Sequence, residues 1–141
     1  MINKSVTIIA VAVFFFLFCK QGSGADWKRY ANNIFLVAYY DATTITEVSR
    51  GSFRVWEKWS HTAEGKKDAA KKLGPKYLEL DHMIVLSEIN CAERKYRIIQ
   101  GTDYTNDGTV IHTGPNVDRD WNFVIPDSTA EALLVTLCPR E

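Results

Sequence analysis

Three cysteines, three histidines and a cluster of lysines are the residues of this 141-residue chain whose types and spacing can carry chemistry. His61, His82 and His112 lie in three separate segments. Asp81-His82 sets an acid beside an imidazole, as a hydrolytic triad or a metal site does, but neither a nucleophile motif nor a second ligand at metal spacing accompanies it. Glu57, set among tryptophans, and Glu88, near Asn90, would act as a pair of acids only if the fold brought them together. No catalytic or metal-ligating residue is assigned, and no cofactor is expected. Binding is better supported. Lys66, Lys67, Lys71, Lys72 and Lys76 place five ammonium groups within eleven residues. Such a patch draws in acidic protein segments, sulfated glycans or anionic headgroups, though lysines also serve simply to solvate a surface helix. Trp56, flanked by charged residues, reads either as part of a docking face or dimer contact, or as core filling.

The cysteines depend on where the mature chain begins. Lys4 precedes an uncharged apolar run, VTIIAVAVFFFLF, at 6–18, the length of a signal-peptide core and short of the roughly 20 residues of a membrane span. Ser23 and Ala25 form a small-x-small pattern that predicts cleavage after Ala25, the alternative being an uncleaved anchor. Phe18 stands where a lipid-attachment site needs a small residue, which argues against lipidation of Cys19. Cleavage leaves Cys91 and Cys138, which an oxidising compartment would pair rather than keep as separate thiols. Lys4 and Lys20 go with the leader, so residues 26–141 carry fifteen basic against seventeen acidic side chains, a net charge of −2. That balance excludes an ordinary nucleic-acid binder. All four tryptophans and six tyrosines remain, too aromatic a composition for disorder.

The elements that would position these residues are mostly strands. Segments 26–30 and 34–40 flank Ala31-Asn32-Asn33, an expected hairpin whose asparagines tolerate positive φ. The polar stretch 41–51 reads as a connection. In SFRVWEKWSH, 52–61, alternation places Phe53, Val55, Glu57 and Trp59 on one face and Arg54, Trp56, Lys58 and Ser60 on the other. Thr62 caps a short lysine-rich surface helix that Gly74-Pro75 stops. Segments 80–91 and 94–105 should pair through Ala92-Glu93. Asn106-Asp107-Gly108 turns the chain into 109–113, and 121–125 can add a short strand. Asp127 or Ser128 can cap the last helix, and Ser128-x-x-Glu131 fits a capping box. Ala130, Leu133, Leu134, Leu137 and Cys138 then line one helix face, from which Cys138 can reach Cys91. The fold class is α+β: an antiparallel meander of about six strands with a C-terminal helix packed on one face.

YYDATTI, FRVWEKW, LGPKYLELDHMIVLSEINCAERKYRI and VIPDSTAEALLVTLC, in this order and spacing, resemble the bacterial surface-adhesin protein E family from Asp26 to Cys138. The resemblance implies a small antiparallel sheet with a C-terminal helix and export in a Gram-negative bacterium. It also implies adhesion, without enzymatic activity, to matrix proteins such as vitronectin and laminin, and binding of plasminogen. The sequence departs from the adhesin at Phe18-Cys19, and no adhesive residue is carried over. The expected function is that of an exported binding protein, periplasmic or at the surface, with a host or matrix protein or an envelope component as partner. The alternatives are a periplasmic carrier of a small ligand such as haem, or a structural or assembly protein of the envelope.

Overall fold

The computed structural model describes residues 24–114 and 119–139. The predicted leader, including Cys19, lies outside them apart from Gly24 and Ala25. The described chain forms one sheet in the order β1 (Trp27–Asn32), β2 (Leu36–Asp41), β4 (Ser52–His61), β5 (Leu80–Asn90), β6 (Lys95–Thr105), β7 (Val110–Gly114). All neighbours are antiparallel. Two short strands lie off this path: β3 (Thr46–Ser49) on β4, and β8 (Asn122–Phe123) on β6. The expected six-strand meander is therefore present, with additions at its margins.

β3 is the element that the polar reading of 41–51 missed. All four of its residues are exposed, so no apolar alternation marks it. It forms because β2 leaves β4 at the Tyr40–Glu57 pair, and the bared end of β4 takes Thr46 opposite Arg54 and Glu47 opposite Phe53. The first hairpin forms as expected, by different means. Neither asparagine has positive φ. Instead Asn33 Oδ1 accepts hydrogen bonds from the amides of Phe35 (2.8 Å) and Leu36 (3.0 Å), an Asx turn built by the side chain. The β5–β6 turn is also longer than the expected two residues. It spans 91–94, with Arg94 in the left-handed region at φ 51°.

The helices are α1 (Ala63–Leu73) and α2 (Thr129–Leu137). Thr62 caps α1, its hydroxyl accepting from the Gly65 amide at 3.1 Å and donating to the Ile34 carbonyl at 2.6 Å. Gly65 is required there, because a Cβ would sit 2.0 Å from the Phe35 carbonyl oxygen. Ser128 caps α2 by accepting from the Glu131 amide, while Glu131 accepts from the amide of Asp127, so the expected box closes one residue earlier than usual. Leu133 and Leu134 pack into the core with Val55, Ile89 and Val124, joined at its margin by Tyr30, Tyr40, Tyr96, Ala130 and Leu137.

Cys91 and Cys138 are bonded, with their Cα atoms 5.7 Å apart, so the bridge fastens the end of α2 to the β5–β6 turn. The cysteines are 47 residues apart in sequence. Closing a loop of that size should stabilise the fold by about 4 kcal/mol in the chain-entropy model. Replacing both cysteines by serine should lower the denaturation free energy by that order in urea titrations. Adding reductant should bring the native protein down to the same midpoint.

Candidate functional site

A strand pleat puts alternate residues on opposite faces, so the registers divide the sheet into two chemistries. On one face lie Val55, Glu57 and Trp59 of β4, with Ser87 and Val85 opposite the first two on β5. Tyr96 and Ile98 of β6 continue this face. It carries the core beneath α2, and His61 and Met83 extend it toward α1 and the short turn Pro75–Glu79. The other face presents Arg54, Trp56 and Lys58 on β4, with Glu88, Leu86 and Ile84 opposite them on β5. Arg97 follows on β6, and Tyr39 and Arg29 on β2 and β1. Both helices belong to the first face. Among the described residues no helix covers the second, and most of its side chains are half-buried or exposed.

At the middle of the open face, Glu88 is 1 % exposed and holds two arginines from the strands on either side. Arg54 donates through Nε at 2.9 Å and Nη2 at 2.5 Å to Oε1, and Arg97 donates through Nε at 2.7 Å to Oε2. Burial pushes the Glu88 carboxyl up, but the hydrogen bonds and charges of Arg54 and Arg97 outweigh it and hold its pKa below the ordinary 4.5. The Arg97 guanidinium also lies over the Trp121 ring, 4.5 Å from its centroid. Arg54, Arg97, Ile99 and Arg119 line a cleft of about 180 Å³. Ile99 is the extra residue of a bulge in β6, where the register with β5 slips between Leu86 and Ser87. Among the described residues that line the cleft, Glu88 engages Arg54 and Arg97, and Arg119 adds a third guanidinium.

The next cation along β4 is also placed by aromatics. Lys58 Nζ lies 5.1 Å from the ring centroids of both Trp27 and Tyr39. The two buried acids of this face, Glu88 and Asp41, are both spoken for. Asp41 accepts from the Thr43 amide and hydroxyl and from the Asp26 amide. Among the described residues, the exposed charge that the strands carry on this face is therefore mostly cationic, interleaved with half-buried aromatic rings.

The lysines singled out from sequence stand elsewhere. α1 packs toward the covered face, so Lys66, Lys67, Lys71 and Lys72 do not share a surface with Trp56. Lys67 pairs with Glu64 at 3.1 Å and Lys72 with Asp68 at 2.7 Å, which reduces the helix's free positive charge. Lys76 covers the Tyr77 ring at 5.4 Å. Trp56 is half-buried, between Arg54 and Lys58 on the open face. Arg54 and Lys58 were legible as its neighbours from the alternation of β4. Arg97 was missed although the expected Ala92-Glu93 turn sets it opposite Glu88, whereas Arg119, on a loop, carried no such signal.

The groups that suggested chemistry are dispersed. Glu57 and Glu88 lie on opposite faces, so they do not act as a pair. His82 bonds Asp81 at 2.8 Å and stacks on Tyr104, whereas the ring nitrogens of His61 are buried against α1 and have no hydrogen-bond partner among the described residues. Burial lowers the His61 pKa. Among the described residues, no three His, Cys, Asp or Glu side chains are grouped to hold a metal ion.

The sequence matches the family model for surface-adhesin protein E over residues 27–139, nearly its whole length. The chain belongs to the surface-adhesin protein E family. No curated protein and no solved structure matches it. Membership in the surface-adhesin protein E family points to a surface adhesin, to an exported or surface location and to a non-enzymatic role. Among the described residues, no helix is long and apolar enough to cross a membrane.

The arginine clamp on Glu88 has a pH signature. Its pKa is lower folded than unfolded, so its stabilisation is complete above about pH 4.5 and is lost as pH falls through the lowered value. Both arginines are more than a third exposed or close to it, so solvent screening limits the effect. Glu88→Gln should cost roughly 1–2 kcal/mol at pH 7. The gap from wild type in urea denaturation should close as the pH is taken well below 4, with little change between pH 6 and 8.

Proposed function

We propose that this protein is an exported, non-enzymatic adhesin that holds an acidic segment of an extracellular-matrix-type protein across the open face of its sheet. The observation that carries this reading is the face itself: uncovered by either helix, with its buried acids engaged and its remaining charge mostly positive. Arg54, Arg97 and Arg119 supply a cleft for carboxylates, which guanidinium groups meet with planar, paired donors. Trp56 and Tyr39 supply stiff contact area beside them, as aromatics do at the centres of interfaces. The rings and the Glu88 carboxylate restrain Arg97 and Lys58 before any partner arrives, so less side-chain entropy is lost on binding. The lysines of α1 sit on another side and act at most as long-range attraction. Export follows the leader reading, with cleavage after Ala25 and no lipid on Cys19.

Binding of oxidised 26–141 to immobilised vitronectin, laminin and plasminogen at physiological salt tests this reading. Binding should saturate and weaken as salt rises. The double substitution Trp56→Ala with Arg119→Glu leaves the Glu88 clamp in place and should weaken binding by about tenfold or more. Replacing Lys66, Lys67, Lys71 and Lys72 together by glutamine should change it by less than about threefold. Binding to all three proteins that is no stronger than that of an unrelated exported domain would overturn the proposal. So would an unchanged affinity in the Trp56/Arg119 variant.

A further inference from the structure

Toward its β7 edge, the covered face of the sheet holds a cavity of about 290 Å³. Its shape follows from the register. Gly101 of β6 and Gly114 of β7 stand opposite each other, so two neighbouring strands carry no side chain at this point and the cavity has a backbone floor. Two residues along, Asp103 and His112 are paired in the same way, and Met83 lies across from Asp103 on β5. Tyr77, from the turn Pro75–Glu79, and Leu73, from the end of α1, complete the lining. Leu73 is 60 % exposed and His112 is also exposed, so these two stand at the mouth.

Asp103 is the group in this lining whose burial calls for a partner. It is 5 % exposed. The Tyr77 hydroxyl donates to its Oδ2 at 3.1 Å. Among the described residues, Oδ1 receives no hydrogen bond and the carboxylate makes no ion pair. His112, although opposite, does not bond it, and Lys76 lies over the Tyr77 ring instead. Oδ1 is not sealed off either. The side-chain atoms cut off from solvent without a partner belong to His61 and Ser87, so an unbonded Oδ1 keeps part of the small surface that Asp103 retains. That surface belongs to the cavity the residue lines.

The ligand chemistry follows from this oxygen and from the walls around it. A carboxylate oxygen without a donor, set low among largely apolar groups, favours a donor that carries a positive charge. A metal ion does not fit. Among the described residues, no three His, Cys, Asp or Glu side chains are grouped to ligate one, and a hard cation needs about six oxygens. An alkylammonium brings three donors of its own and an apolar body that Leu73, Met83 and the Tyr77 ring can cover.

We infer that this cavity binds a small organic amine: an ammonium group on a compact apolar body, hydrogen-bonded to Asp103 Oδ1, with the body resting on the Gly101–Gly114 floor. The sheet divides this site from the arginine cleft, and its ligand has the opposite charge. It is therefore independent of the adhesive reading.

Benzylamine, charged at pH 7, is a suitable probe. Benzyl alcohol offers the same shape with a neutral donor, and benzoate the same ring with the opposite charge. Titrations of the oxidised protein at constant ionic strength, followed by the amide shifts of Gly101 and Gly114, should saturate with benzylamine. Benzyl alcohol should bind about tenfold more weakly, the order that separates a charge-assisted hydrogen bond from a neutral one, and benzoate more weakly still. Asp103→Asn can still accept from Tyr77 but loses the charge. It should weaken benzylamine by about tenfold or more while leaving benzyl alcohol within about threefold. Gly114→Leu fills the floor and should abolish saturation. Its Cβ would meet no atom closer than His112 Nε2 at 3.7 Å, and Gly114 does not have positive φ, so this variant tests the site even if the Asp103 variant fails to fold. Absence of saturation at about 10 mM benzylamine, a dissociation constant too weak for a formed pocket, would overturn the site. Benzyl alcohol binding as tightly as benzylamine, or an unchanged benzylamine affinity in folded Asp103→Asn, would overturn the role of Asp103. Unaltered binding in the folded Gly114 variant would overturn the location.

Discussion

The covered side of the molecule depends on one four-residue turn, 91–94, between the two longest strands. Cys91 bonds Cys138 at one end of α2, and Arg94 pairs with Glu131 at the other, at 2.8 Å. The Arg94 carbonyl also accepts from the Val124 amide, drawing in the segment that leads to the helix. A nine-residue helix is marginal alone in water. Held at both ends by groups from a single turn, it has little freedom to leave the sheet. The left-handed conformation at Arg94 is part of the same arrangement.

The two faces of β4 and β5 show how much one strand can separate. Each face buries one glutamate, and the environments drive them in opposite directions. Glu88 is surrounded by guanidinium groups and is held ionised; Glu57 meets a phenol, an indole and apolar walls, and burial favours its protonated form. The first arrangement leaves a charged surface on the open face, the second a buried acid against largely apolar walls. The sheet lies between the two.

Much of this was legible in the sequence. The alternation of 52–61 assigned the faces of β4 correctly, because a half-buried strand with charged residues on one side leaves a clear period of two. The caps at Thr62 and Ser128 were readable for a similar reason: a hydroxyl before an amphipathic run has one dominant use. β3 was not legible, since an edge strand exposed throughout has no apolar pattern and exists through its partner. The Glu88 clamp went unread: the Ala92-Glu93 turn already sets Glu88 opposite Arg97, but Arg54 is 34 residues from Glu88 and joins them only through the β4–β5 register. Glu57 could be seen on the same face as Trp59. Its bond to Tyr30 could not, since that depends on an irregularity in β1.

That irregularity has a further consequence. β1 is the outer strand of the sheet, and its register with β2 slips between Arg29 and Ala31, which leaves Tyr30 as an extra residue turned toward Glu57. A straight outer strand offers a row of unpaired amides and carbonyls to any other chain, and exported proteins fold among many such chains. The slip breaks the spacing of that row halfway along, and Lys28 and Arg29 place charge beside it. The residue that supports the buried acid thus also makes the sheet's open border a poor template for aggregation.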